Sequence, residues 1–158
     1  MTESGVKIEI GKKAPAFSLK NQDGKTVKLA DFAGRWVVLY FYPKDDTPGC
    51  TTQACGVRDH RNDYADSGAR VLGVSPDTVT AQRKFADKYG LDFTLLADED
   101  HRIADLYGVW GEKKMYGKTS MGILRSAFLI DGKGKVQEAW YKISPKDTPT
   151  KLLEALGG

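Results

Sequence analysis

The chain has 158 residues, of which 41% are hydrophobic and 28% are charged. This length predicts one domain over residues 1–158, with residues 1–5 flexible, and this composition excludes a wholly disordered protein. The net charge of +3 comes from scattered lysines and arginines, and no stretch approaches the ~18 uncharged apolar residues of a membrane span, so neither a nucleic-acid partner nor a membrane is expected.

Strands and helices alternate in the first half of the chain. A turn at residues 21–24 predicts an N-terminal β-hairpin with arms at 17–19 and 26–29. The run at 36–42 is β-branched and aromatic without alternation, which is typical of a central strand covered on both faces. The elements expected next are a helix over 50–67, a strand over 70–74, a helix capped by 75–77 and ending at 88 or 89, and a strand over 93–96.

The second half begins with a helix and ends with a hairpin and a helix. The expected elements are a helix over 98–107, a Gly- and Lys-rich loop over 109–122, strands over 125–130 and 136–143 joined by a turn at 131–134, and a helix over 147–156. The whole order predicts an α/β, thioredoxin-like fold, with a mixed central sheet of four or five strands and helices on both faces.

The segment after the first central strand is the place to look for a site, because sites in open α/β sheets lie beyond the carboxyl ends of strands. Thr47 can cap the helix that follows, and Pro48 can take its first position, where a missing N–H costs nothing. Cys50 then lies in the first turn, where unpaired N–H groups and the helix dipole favour a thiolate. The Thr47 hydroxyl would lie close to the sulfur and could hold a small oxygen-bearing substrate.

The two cysteines, Cys50 and Cys55, are too few for a disulfide scaffold or a structural zinc site. His60 and His101 are far apart in sequence, so we expect packed or surface histidines and no metal. Cys50 could instead be an inert buried thiol, although a polar loop with proline and glycine is a poor place to bury one. Cys55 falls in the middle of the helix, where a small thiol also packs well.

Three blocks of sequence, at residues 40–55, 107–118 and 125–131, resemble the peroxiredoxin Q group, also called the bacterioferritin comigratory proteins. The resemblance extends over about residues 6–157. It implies an antioxidant enzyme that reduces hydrogen peroxide and organic hydroperoxides with thiols. It also implies recycling by thioredoxin or a similar dithiol, no cofactor because sulfur carries the electrons, and a monomer. Without a targeting pattern near the N-terminus, we expect a cytoplasmic protein.

The resemblance also implies a role for each matching residue. Cys50 aligns with the peroxidatic cysteine, and Thr47 with the hydroxyl beside it. Pro43 aligns with a proline that shields the pocket, and Arg125 with an arginine that stabilises the thiolate and polarises the peroxide. Cys55 matches the resolving cysteine of those members that carry one five residues on.

Two positions depart from the pattern of the family. Gln53 stands where the family more often has glutamate, so an ionic link from this position to an arginine is in question. Ala127 replaces a common threonine, which we expect to be a neutral packing change.

Two other functions stay open on the residues alone. A general thiol–disulfide oxidoreductase has the same fold class, but its usual motif separates the cysteines by two residues, and here four intervene. A non-catalytic binding or holdase domain would need neither cysteine. A further expectation follows from helix geometry: Cα atoms five residues apart in a helix lie about 8.7 Å apart, whereas a disulfide needs about 4.4–6.8 Å. A Cys50–Cys55 disulfide therefore requires the helix to open over about residues 49–56.

Overall fold

A run of β-branched and aromatic residues forms the strand at the centre of the fold. In the computed structural model, which describes residues 7–115 and 117–157, this strand is β3 (Trp36–Phe41). Every residue from Val37 to Phe41 is buried, which explains why the run lacks polar alternation. The expectation that residues 1–5 are flexible lies outside the described residues.

The other elements follow the expected alternation with one addition. In chain order the strands and helices are β1 (Ser18–Asn21), β2 (Thr26–Lys28), a short 3-10 helix (Leu29–Phe32), β3, α1 (Pro48–Asp59), α2 (Arg61–Asp66), β4 (Ala69–Ser75), α3 (Val79–Tyr89), β5 (Thr94–Ala97), α4 (Arg102–Leu106), β6 (Trp110–Met115), β7 (Lys118–Ile123), β8 (Ser126–Ile130), β9 (Val136–Trp140) and α5 (Thr148–Ala155). None of the helices in the described ranges is long and apolar enough to cross a membrane.

The main sheet of the described chain has seven strands in the order β2-β1-β5-β4-β3-β8-β9. β3 pairs in parallel with β4, and β4 in parallel with β5, while β8 and β9 run antiparallel to their neighbours. The mixed sheet and the N-terminal hairpin are confirmed. The expected size of four or five strands is wrong, because β1 pairs with β5 and adds the hairpin to the sheet edge.

Helices cover both faces of the sheet, as predicted. Alternate residues of β3 point to opposite faces, so Val37 and Leu39 belong to a cluster beneath α4, whereas Val38 and Tyr40 belong to a second cluster. The second cluster packs under α1, α2, α3 and α5 and includes Cys50. The thioredoxin-like α/β architecture is confirmed.

The largest error of the sequence-based prediction concerns residues 109–122. They were expected to form a loop, but β6 and β7 form an antiparallel hairpin in which Trp110 lies opposite Ile123 and Lys113 opposite Ser120. The two strands pair only with each other. The glycines and lysines of this segment hide the strand signal, because a two-stranded ribbon needs no continuous apolar face against the main core.

Smaller differences lie at element ends. The expected helix over 50–67 is divided at His60 into α1 and α2. α3 is capped by Thr78, whose Oγ1 accepts from the Ala81 N–H at 3.1 Å, and not by residues 75–77. α4 begins only at Arg102, because the Asp98 carboxylate accepts from backbone N–H groups of the first turn and lies before the helix.

Candidate active site

The site begins where the chain leaves β3 and enters α1. Thr47 has the extended backbone of a helix N-cap, with φ −95° and ψ 155°, and Pro48 takes the first helical position as predicted. The Thr47 hydroxyl does not cap the helix. It donates to the Lys44 carbonyl at 2.8 Å, so the side chain ties the loop to itself.

Cys50 lies in the first turn of α1 with 1% of its surface exposed, and its thiol is free. Its Sγ accepts a hydrogen bond from Arg125 Nη2 at 3.4 Å. The arginine comes from the residue before β8, and the antiparallel pairing of β8 with β3 brings it to the start of α1. A Cβ at Gly49 would lie 3.1 Å from Arg125 Nη2, so the glycine gives the guanidinium room against the helix. The structure therefore unites two residues that the sequence analysis singled out separately.

Arg125 is held from its other side by Gln53. Its Nη1 donates to Gln53 Oε1 at 2.7 Å, and Gln53 is fully buried. The amide Nε2 of Gln53 donates to Thr148 Oγ1 at 2.9 Å, and Thr148 in turn donates to the Ser144 carbonyl at 2.7 Å. A neutral amide thus makes the hydrogen bond to arginine without an ionic link, and it also joins α1 to the first residue of α5.

Sequence reasoning treated Gln53 only as a departure from a pattern and did not foresee Thr148. One local signal was available: a residue three positions after Cys50 lies on the same helix face, so a polar side chain there must find a partner beside the thiol. The partner of its amide nitrogen lies 95 residues further along the chain, and no local pattern announces it.

Tyr40 lies beneath the same helix on β3. Its hydroxyl is buried and has no hydrogen-bond partner among the described residues. Burial raises the pKa of Tyr40 well above its usual value, and the charges of Cys50 and Asp45 raise it further, while Arg125 opposes them. Tyr40 therefore stays neutral and contributes an apolar ring and an oriented hydroxyl dipole to the surroundings of the thiol.

The loop before α1 is anchored by two acidic residues whose roles the sequence did not reveal. Asp45 accepts from the Tyr42 hydroxyl at 2.6 Å, and its backbone N–H donates to Asp77 at 2.8 Å. Burial raises the pKa of Asp45 to about 7; the Tyr42 hydrogen bond opposes this rise, and Asp77 adds to it. Asp46 accepts from Lys88 at 2.8 Å, which holds the loop against α3.

Cys55 is not brought against Cys50. It lies half-buried in the middle of α1, and its thiol is free. One continuous helix spans both cysteines, so their Cα atoms are about 8.7 Å apart. The expectation that the reduced chain is helical from Cys50 onward is confirmed.

The histidines are placed as expected. His60 Nδ1 lies 3.1 Å from Asp63, and His101 Nδ1 lies 3.0 Å from Asp105. The ring of His101 also stacks on Trp110 at 3.7 Å between centroids. Within the described ranges, no group of three or more His, Cys, Asp or Glu side chains is arranged to hold a metal ion.

Comparison with known proteins gives consistent relatives. The family model AhpC/TSA family matches residues 10–139. The chain is 49% identical over 149 residues to peroxiredoxin Bcp of Bacillus subtilis (strain 168), covering 94% of this chain and 95% of that protein. It is 50% identical over 133 residues to peroxiredoxin Bcp of Escherichia coli (strain K12), covering 84% and 85%. Among solved structures it resembles the bacterioferritin comigratory protein of Xanthomonas campestris, which is described as having alkyl peroxide reduction activity, with a TM-score of 0.84, 38% identity, and coverage of 89% of this chain and 90% of that one.

Proposed function

We propose that this chain, which belongs to the AhpC/TSA family and is a peroxiredoxin, a thiol-dependent peroxidase, reduces hydrogen peroxide and organic hydroperoxides at Cys50. The observation that carries the assignment is the position of Cys50 Sγ, in the first turn of α1 and 3.4 Å from Arg125 Nη2. Helix N–H groups and a guanidinium are the surroundings that favour a thiolate over a thiol.

In the first step the Cys50 thiolate attacks the terminal oxygen of the hydroperoxide. The S–O bond forms as the O–O bond breaks, so Cys50 becomes a sulfenic acid and the peroxide is reduced to an alkoxide or hydroxide, which takes a proton from solvent. Arg125 and the N–H groups at the start of α1 stabilise the charge that moves onto the leaving oxygen. The Thr47 hydroxyl gives its hydrogen to Lys44 and keeps its oxygen lone pairs to accept from the peroxide O–H.

In the second step the Cys55 thiolate attacks the Cys50 sulfur, a disulfide forms, and hydroxide leaves as water. A dithiol reductant of the thioredoxin type then restores both thiols by exchange. The helix that holds the two cysteines about 8.7 Å apart must open first, because a disulfide requires about 4.4–6.8 Å between Cα atoms. The assignment includes a monomeric protein in the cytoplasm, and light scattering on the purified chain tests the monomer.

A general thiol–disulfide oxidoreductase is less well supported because of the burial of Cys50. A protein disulfide would have to reach a sulfur with 1% of its residue surface exposed, whereas a two-oxygen substrate can enter a much smaller opening. Peroxide consumption measured beside insulin disulfide reduction separates the two functions.

The decisive experiment is intact mass measurement after one equivalent of hydrogen peroxide. The wild-type protein should lose two hydrogens, as a disulfide does, and Cys55→Ser should gain one oxygen, as a sulfenic acid does. Cys50→Ser should do neither and should reduce no peroxide. If Cys55→Ser turns over with thioredoxin at the wild-type rate, Cys55 is not the resolving residue. If Cys50→Ser still reduces peroxide, the assignment of the site is wrong.

A further inference from the structure

A groove of about 310 Å³ lies beside the loop that leads into α1. Pro43 and Pro76 line it from the loops that follow β3 and β4, while Trp110, Met121 and Ile123 line it from the β6–β7 hairpin. Its volume is at the lower end of the range for small-molecule sites. Because Pro43 belongs to the same loop as Thr47, the groove adjoins the proposed peroxidatic site.

One cation, Lys113 of β6, lines this otherwise apolar groove. Its aliphatic stem lies across the neighbouring strand, because Gly122 has no side chain there: a Cβ at Gly122 would lie 3.1 Å from Lys113 Cδ. The glycine therefore lets the lysine lean over β7 instead of pointing straight into solvent.

The charge of Lys113 reaches the proposed active site. Burial lowers the pKa of Lys113, the positive charge of Arg125 lowers it further, and the negative charge of Cys50 opposes both. No carboxylate in the described part of the chain pairs with Lys113, and the described residues that line the groove include no acid. A half-buried cation without a counter-charge attracts an anion that enters the groove.

We propose that the groove binds the organic part of hydroperoxides that carry a carboxylate, with Lys113 binding the carboxylate while the peroxide group reaches Cys50. Trp110 and Met121 contact the hydrocarbon segment between the two groups. The inference rests on the proposed function of Cys50 and adds a substrate class to it. The chemistry is unchanged: the O–O bond breaks, the terminal oxygen passes to sulfur, and the rest of the molecule leaves as a hydroxy acid.

A matched pair of substrates tests the inference, namely 4-hydroperoxy-4-methylpentanoic acid and its methyl ester. Rates of single-turnover oxidation of the reduced protein are measured for both by rapid quenching and intact mass. In the wild type the acid should react roughly three to ten times faster than the ester, as for one favourable charge pair at a partly desolvated site. Lys113→Gln should bring the ratio of acid to ester close to one, and Lys113→Arg should preserve it.

Lys118→Gln is the control, because it removes the same charge from an exposed position on the same hairpin and should leave the ratio as in the wild type. An equal rate for acid and ester in the wild type, or an unchanged ratio in Lys113→Gln, would overturn the substrate class while leaving reduction of hydrogen peroxide by Cys50 intact. Failure of every hydroperoxide to oxidise Cys50 would instead overturn the proposed function and this inference together.

Discussion

Replacing Gln53 by glutamate would place a second anion on the guanidinium that holds Cys50. Arg125 Nη1 lies 2.7 Å from Gln53 Oε1, and Nη2 lies 3.4 Å from Cys50 Sγ. With a neutral amide on one side, the full positive charge of Arg125 faces the thiolate. A carboxylate at the same fully buried position would share that charge and repel the thiolate.

The size of this repulsion follows from the geometry. Two anions on the two terminal nitrogens of one guanidinium are separated by about 6 Å, and at an effective dielectric constant of about 20 they repel by about 3 kcal/mol. That energy corresponds to about two pH units in a titration, and partial protonation of the buried carboxyl reduces it. We therefore expect Gln53→Glu to move the formation of the Cys50 thiolate upward by about 1–2 pH units and to slow single-turnover peroxide reduction at neutral pH roughly tenfold or more.

The assay is thiolate absorbance near 240 nm against pH, measured in a Cys55→Ser background so that one thiol titrates. Gln53→Met is the matched control, because it removes the hydrogen bonds to Arg125 and Thr148 without adding a charge. If Gln53→Met shifts the titration as far as Gln53→Glu, lost positioning and not charge explains the effect. An unchanged midpoint and rate in Gln53→Glu would refute the idea that the two groups compete for Arg125.

Four further outcomes are expected. Arg125→Ala should move thiolate formation to higher pH and slow peroxide reduction, and Arg125→Lys should recover only part of the rate because it loses the planar fork; absorbance titration and stopped-flow rates check both. Gly56→Ala should lower the free energy of unfolding by about 1 kcal/mol or more despite the helix propensity it gains, because a Cβ there would lie 2.8 Å from Pro149 Cγ, and urea denaturation measures this. The pKa of Asp45 is raised to about 7 from 3.8, so the folded state holds the extra proton, stability falls as pH rises through this window, and the loss persists above pH 7; Asp45→Asn should remove this slope and be more stable than the wild type at pH 8 by about 1–2 kcal/mol after allowance for screening, as urea denaturation at pH 5 and pH 8 would show. Hydrogen exchange should show fewer protected amides over residues 49–56 in the disulfide form than in the reduced form, and equal protection would contradict opening of the helix.

Local sequence carries the strand–loop–helix unit of this site, because its signals are local. The uncharged run of β3, the proline at the start of α1 and the glycine beside Cys50 all act within a few residues of where they stand. The position of Arg125 beside Cys50 could be expected only through resemblance, since the 75 residues between them contain nothing that fixes their distance.

What the sequence hides is decided by contacts between distant segments. The β6–β7 hairpin lies outside the main sheet, so the alternation that marks a half-buried strand is weak there. Gly56 illustrates the same limit. Its composition favours a weak point in a helix, yet the structure places Pro149 of α5 against it, so that glycine also serves as the contact surface between two helices.

The contacts that hold the thiolate also hold the helix closed. Gln53 binds Arg125 on one side and Thr148 of α5 on the other, and Pro149 of the same helix packs on Gly56. Opening α1 to join the cysteines must therefore break the link from Gln53 to α5 and release Arg125 from it at the same time. The arrangement that favours attack on peroxide and the one that forms the disulfide exclude each other, so each turnover must pass through both, and the strength of the Gln53 contacts sets the balance between them.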